Sequence, residues 1–426
     1  MTSSNAPPRS LRRHLRLSDL RAAAQLAVQA THGVIDITEG VHQSVRNRLG
    51  LSSGAVPEQT GGLTGRVYRG VRGATQLVSH ATDALLGALL PLLDDPAKHP
   101  ESSPAREAVL AALNGVMGDK LLAMGNALAQ PMELRQGGQT LGMTPGSLAA
   151  QLNAATGTPA RPHLLLLAHG LCMNDTQWRR AGHDHGEHLA QALGCTPVYL
   201  RYNSGLHTSV NGRELALMLE QLMSVWPVPL QRITLLGHSM GGLVFRSAVH
   251  VAREAGLQWP GLLRELVFLG TPHHGAPLER AGHGVDLLLA ATPFTAPFAR
   301  LGRLRSAGIT DLRHGHVQDA DWQGRDLFAS SEDHRVPLPL PEGVDCFALA
   351  GTLAGQRGAL ADRLMGDGLV PLSSALGQHD QPSRQLQFDK RRQRIFYRTG
   401  HLDLLASPKV ALQLQQWLAP GPGVRR

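Results

Sequence analysis

The chain reads as an α/β protein built on a mainly parallel sheet, on three observations. Short continuous apolar runs alternate with helical segments after residue 155, a serine sits in a glycine-framed turn between a strand and a helix, and acid- and histidine-bearing loops follow later strands. A run such as His163-Leu-Leu-Leu-Leu-Ala168, ending at His169-Gly170, fits a strand covered on both faces. Further strands are predicted at 196–202, 232–236, 265–269, 346–350 and 394–398, with helices at 182–193, 212–225 and 241–255 between them. Residues 276–343 break this rhythm with mixed helical and proline-rich character, and an insertion of that size between strands is usually functional.

Residues 1–155 carry a different pattern. Val34, Ile37, Val41 and Val45, then Val67, Val71, Ala74, Val78, Ala81 and Leu85, recur at helical spacing. Breaks fall at 51–57, 95–104 and Gly137-Gly138, and Ser18 and Asp19 offer cap chemistry for the first helix. The expectation is an N-terminal amphipathic helical region over 1–155 and a second domain over 156–426. Arg66, Arg69 and Arg72 give one helix a basic side, so peripheral contact with an anionic lipid surface stands beside a plain solvated face.

At 426 residues, with 42% hydrophobic and 17% charged side chains, the chain is long enough for two domains with a buried core and is not a disordered protein. Three cysteines, Cys172, Cys195 and Cys346, offer neither a disulfide framework nor a CxxC metal pair. A net charge of +8 with only 4% aromatics lacks the basic and aromatic interleaving of a nucleic-acid surface, so no nucleic-acid partner is expected. No apolar run reaches the roughly 18–20 residues of a bilayer span. The arginines before residue 17 precede a stretch interrupted by Arg21, Gln25 and Gln29, which reads as a helix rather than a cleaved signal. A cytoplasmic location, peripheral to the membrane at most, is expected.

Gly237-His-Ser-Met-Gly-Gly242 carries the chemistry. It follows a strand and opens a helix, the context of a nucleophile elbow, where the glycines let the chain turn so tightly that Ser239 Oγ stands above the sheet. A serine hydroxyl needs a base, and the base needs an orienting acid. In chain order the acid and histidine should follow later strands, and Asp367 between Gly366 and Gly368, then His401 after Gly400, sit there. Asp345, Asp362 and Asp403 are weaker acid candidates. Leu171 and Met240 are the candidate oxyanion N–H donors, with Gly170 allowing close approach, His169 supporting the loop, and Gly237 and Gly241 shaping the turn. Cys172 has no placed base and reads as a buried thiol. His273-His274 lacks a spaced third ligand, so neither a metal nor an organic cofactor is expected.

The ordered set of His169-Gly170, Arg201-Tyr-Asn-Ser-Gly205, Gly237-His-Ser-Met-Gly-Gly242, Leu269-Gly-Thr-Pro-His-His-Gly275, Gly366-Asp-Gly-Leu-Val-Pro371 and Gly400-His401 resembles the α/β-hydrolase superfamily, in its lipase and GPI inositol-deacylase-like branch. That resemblance covers about 156–420. It implies a serine carboxylic-ester hydrolase of lipase or esterase type acting on acyl or lipid esters through an acyl-enzyme, with Ser239, Asp367 and His401 as triad and Leu171 and Met240 as oxyanion donors. Segment 276–343, with Val285–Ala291, Phe294, Phe298 and Leu301, would be its lid. A thioesterase or acyltransferase would use the same triad, and a noncatalytic lipid-surface-binding protein could retain the scaffold.

Overall fold

The structure is a computed structural model that describes residues 104–276, 306–324, 333–356 and 366–419. The amphipathic segments expected before residue 104, most of the apolar part of the expected lid, and Asp362 lie outside the described residues. Among the described residues, Glu107–Lys120 and those from Ala129 onward group as one compact unit.

In chain order the elements are α1 (Pro104–Ala123), the hairpin β1 (Glu133–Gln136) and β2 (Gln139–Thr140), α2 (Pro145–Thr156), β3 (His163–Ala168), α3 (His185–Leu193), β4 (Thr196–Arg201), α4 (Thr208–Val225), β5 (Arg232–His238), α5 (Met240–Glu254), β6 (Leu263–Leu269), α6 (Ala307–His314), β7 (Asp345–Thr352), the single turn α7 (Leu372–Ala375), β8 (Gln393–Tyr397) and α8 (Pro408–Leu418). One eight-stranded sheet has the order β2-β1-β4-β3-β5-β6-β7-β8. From β4 to β8 every pairing is parallel, whereas β1 runs antiparallel to both β2 and β4.

The continuous apolar runs become strands because both sheet faces are covered. In β3, Leu164 and Leu166 join the core beneath α4 and α5, while Leu165 and Leu167 join the opposite core beneath α3 and α8. All four are at most 1% exposed, so each contributes on the order of 1.5–3 kcal/mol of burial. Helix starts and stops follow local chemistry: the Asp184 carboxylate caps α3 by accepting from Glu187 N, and α3 ends at Gly194 in the left-handed region. The order of strands places the ends of β3, β5, β6, β7 and β8 along one rim, where open parallel sheets hold their sites.

The six strands read from the sequence are all present, with ends shifted by a residue or two. The hairpin β1–β2 adds to them. It lies before the boundary expected at residue 155, and Gly137-Gly138 is its turn rather than a break between helices. Its Leu134 enters the core beneath α4 and α5, and its pairing with β4 extends the sheet.

Candidate active site

Ser239 is the link between β5 and α5. Its backbone sits at φ 54, ψ −121, a conformation costly for a residue with a side chain, and its N–H donates to Leu269 O at 2.8 Å. The turn closes because its flanks lack side chains. A Cβ on Gly237 would lie 2.5 Å from Gly242 N, and one on Gly241 would lie 2.3 Å from Ala168 O and 2.7 Å from His169 O. Such contacts are with backbone, which has nowhere to retreat. Ser239 is fully buried, and its Oγ makes no hydrogen bond among the described residues.

Asp367 and His401 meet as expected from their loops. The Asp367 loop bends through Gly366 and Gly368, both at positive φ. Asp367 Oδ1 accepts from Leu369 N and Val370 N, at 3.0 and 2.8 Å, which fixes the carboxylate plane and leaves Oδ2 for His401 Nδ1 at 2.8 Å. Both side chains are fully excluded from solvent. A second bond, from His401 N to Asp367 O at 3.0 Å, ties the two backbones. An ionised carboxylate only accepts, so the network assigns the proton to Nδ1 and leaves Nε2 as a bare acceptor. That Nε2 is buried and has no hydrogen-bond partner among the described residues, as is true of Ser239 Oγ.

The strand ends bring these groups to one place. Leu269 O holds Ser239 N, and the next residue, Gly270, has so little room that a Cβ there would lie 3.2 Å from both Asp367 Oδ2 and His401 Cε1. His238, immediately before Ser239, lies with its ring 4.7 Å from that of His401 and donates from Nε2 to His401 O at 3.2 Å. Burial keeps His238 neutral, well below the usual histidine range.

The loop after β3 reaches the same point. A Cβ on Gly170 would be 3.1 Å from Ser239 Cβ and 3.2 Å from His238 Nδ1, so Gly170 passes directly beside the turn and carries Leu171 past it. Met240 is the first residue of α5, so its N–H is one of the first-turn donors with no intrahelical acceptor. His169 braces this loop. Its Nδ1–H donates to Gly170 O at 2.8 Å, its Nε2 accepts from Tyr202 N at 3.4 Å, and its ring stacks on Tyr202 with centroids 4.3 Å apart. Tyr202 OH also donates to His169 O at 2.8 Å. Desolvation lowers the His169 pKa to about 4, consistent with the neutral ring that these bonds require.

The remaining candidates sit elsewhere or do other work. Asp403 accepts from Gly400 N at 2.9 Å and shapes the His401 turn, and Asp345 is an exposed partner of Arg392 at 2.8 Å. Burial pushes the Cys172 thiol up to about 12, which leaves it a poor nucleophile. His273 is buried with its ring edge-on to Phe268, and His274 Nδ1 accepts from Arg335 at 3.4 Å. Lys390–Arg392 forms a short turn, with Arg392 over the Phe347 ring.

The sequence alone does not single out His238 or Tyr202. His238 was visible as the second residue of the turn motif and Tyr202 as part of Arg201-Tyr-Asn-Ser-Gly205, but nothing in the local pattern shows which backbone atom each ring holds.

The sheet order, the serine turn at the end of β5 and the aspartate–histidine pair beyond β7 and β8 define an α/β-hydrolase fold. Residues 162–336 match a family model described as PGAP1-like alpha/beta domain. No match is found among curated proteins. Among solved structures the chain is similar to a lipase from Bacillus licheniformis in mature form, with 20% identity over 61% of this chain and 93% of that one and a TM-score of 0.38. It is similar to lipase B from Aspergillus fumigatus, with 12% identity over 61% of this chain and 54% of that one and a TM-score of 0.33. A thioesterase of the prodiginine biosynthetic pathway from Streptomyces coelicolor has 17% identity over 61% of this chain and 91% of that one, with a TM-score of 0.33.

Proposed function

We propose that the protein is a serine hydrolase of carboxylic esters, of lipase or esterase type, acting through an acyl-enzyme. The observation that carries this reading is the buried His401–Asp367 pair at 2.8 Å, whose Nε2, like the Oγ of Ser239 at the same strand ends, has no hydrogen-bond partner among the described residues. Ser239 Oγ attacks the ester carbonyl carbon as His401 Nε2 takes its proton, forming the Oγ–C bond and placing negative charge on the carbonyl oxygen. Asp367 holds the imidazole by Nδ1 and stabilises the imidazolium. The N–H groups of Leu171 and Met240 receive the oxyanion, each worth roughly 3–4 kcal/mol in the transition state. Collapse breaks the bond to the leaving alcohol, which receives the proton from Nε2. Water then repeats the sequence on the acyl-enzyme with His401 as base, releasing the acid and restoring Ser239.

We propose a domain division on the same basis. The hydrolase unit takes in 156–426 together with Glu107–Lys120 and residues 129–155, which group with it and pair β1 with β4. Within the insertion 276–343 expected as a lid, the described helix Ala307–His314 is instead part of the core through Ile309 and Leu312, and the apolar residues proposed to cover an acyl chain lie outside the described residues. The peripheral lipid contact expected of the N-terminal region 1–155 falls on residues before 104, outside the described residues. A thioesterase or acyltransferase would use the same residues, differing in the leaving group or in the acceptor that enters.

The test is hydrolysis of p-nitrophenyl esters of short and long acyl chains by the full chain and by Ser239→Ala. The reading expects turnover in the first and none above background in the second, with the chain-length profile dividing esterase from lipase. Equal rates in two folded proteins would discard it.

A further inference from the structure

Helix α1 precedes the whole βα array, yet its stretch Glu107–Lys120 lies against the loop that carries Leu171. A Cβ on Gly115 would lie 2.3 Å from Cys172 Sγ and 2.8 Å from both Cys172 Cα and Cys172 N, so helix and loop touch backbone to backbone. Cys172 itself sits at φ 60, in the left-handed region, directly after Leu171. Hydrogen bonds fasten the same contact. Asn174 Nδ2 donates to Glu107 O at 3.0 Å, while Asn174 Oδ1 accepts from Thr176 N at 3.0 Å and so shapes the end of the loop. Cys172 N donates to Ser204 Oγ at 3.1 Å. The loop that supplies Ser204 is held by α1 as well, through Asn203 Nδ2 to Gly118 O at 3.0 Å and through Gly205, where a Cβ would lie 2.1 Å from Asn114 O.

The helix therefore grips the loop that carries Leu171 and the neighbouring loop at 203–205, and it does so through glycines that a side chain would force apart. An oxyanion donor must be fixed before the reaction, since reorienting it during the reaction would forfeit its benefit. His169 and Tyr202 brace the upstream side of the loop. The downstream side, from Cys172 to Asn174, has α1. We propose that Gly115 and Asn174 are positioning residues for ester hydrolysis: through them α1 sets the backbone of Cys172 and hence the direction of the Leu171 N–H. This rests on the assignment of Leu171 as an oxyanion donor in the reading above. It also places part of the chain before residue 155 inside the working enzyme.

Gly115→Ala in the full chain is the direct test. Alanine favours the helix, while its Cβ meets Cys172, so the fold should persist as the loop shifts. A misplacement of this kind is expected to lower kcat by about 100-fold with KM little changed. Amide hydrogen exchange across 170–174 should quicken. Adding Cys172→Gly removes the sulfur that the new methyl strikes and should restore at least part of kcat, and melting curves of the single and double variants separate that recovery from a recovery of stability. Should Gly115→Ala fail to fold, Asn174→Ser keeps an oxygen near Thr176 N but loses the reach to Glu107 O, and the same kcat-selective loss and faster exchange are expected. Wild-type kcat and unchanged exchange at 170–174 in the folded variant would overturn the proposal. Absence of ester hydrolysis in the unaltered chain would instead sink the ester-hydrolase reading, while the exchange measurement still decides whether α1 sets the loop.

Discussion

Replacing Asp367 with asparagine changes one atom and reverses a proton position. Asp367 Oδ1 accepts two backbone N–H groups, from Leu369 and Val370, and only an oxygen can keep that place. The amide oxygen of asparagine is thereby held there, and its NH2 is turned toward His401 Nδ1, where Oδ2 stood at 2.8 Å. Two donors cannot face each other, so the imidazole must move its proton to Nε2 to make Nδ1 an acceptor. That tautomer cannot accept the Ser239 proton. A triad whose acid becomes an amide in unchanged geometry loses about 10⁴-fold in kcat, equal to about 5.4 kcal/mol at 1.36 kcal/mol per factor of ten. The assay is p-nitrophenyl ester turnover under saturation, beside a circular dichroism spectrum and melting curve to show that Asp367→Asn is folded. A folded variant within about tenfold of the parent rate would refute the tautomer argument.

Further outcomes follow from the same contacts. Gly241→Ala should lower the stability to urea by at least about 1–3 kcal/mol, because its methyl would meet Ala168 O at 2.3 Å, and an unchanged urea midpoint would show that the turn can relax. Tyr202→Phe keeps the stack on His169 but leaves His169 O without its hydroxyl donor, and should cost about 1–3 kcal/mol in the same measurement. Stability should also fall on acidification. His169 and His185 are buried and lowered to about 4 by desolvation, so below the usual histidine pKa of 6.5 the unfolded chain binds protons that the folded one refuses. Each then removes about 1.4 kcal/mol per pH unit between about pH 6.5 and 4, and urea midpoints across that window that did not decline would contradict their neutral burial.

The parallel sheet was legible because burial on both faces writes itself as an uninterrupted apolar run, as in His163–Ala168. The hairpin at 133–140 was not. Its strands read Glu-Leu-Arg-Gln and Gln-Thr, too short and polar to show a period, and it forms at the sheet edge where only Leu134 and Gln136 are buried in β1. The same contrast runs through the site. Ser239, Asp367 and His401 announce themselves because each lies in a glycine-marked loop at a fixed place in the strand order. The roles of His238, Tyr202 and Gly115 depend on atoms far away in sequence, such as His401 O and the Cys172 backbone, and no local spacing encodes those meetings. Gly115 carries no signal in the sequence, yet its missing side chain is what lets α1 touch the loop beside Leu171.

The central claim is that Ser239 is the nucleophile, and covalent capture addresses it most directly. The full chain is treated with an alkyl fluorophosphonate, digested and mapped by mass spectrometry, with Ser239→Ala and His401→Ala treated alongside. The account predicts one phosphonyl adduct on the peptide holding Ser239, none on Ser239→Ala, and slow or absent labelling of His401→Ala. An adduct on another serine, or equal labelling of all three proteins, would contradict it.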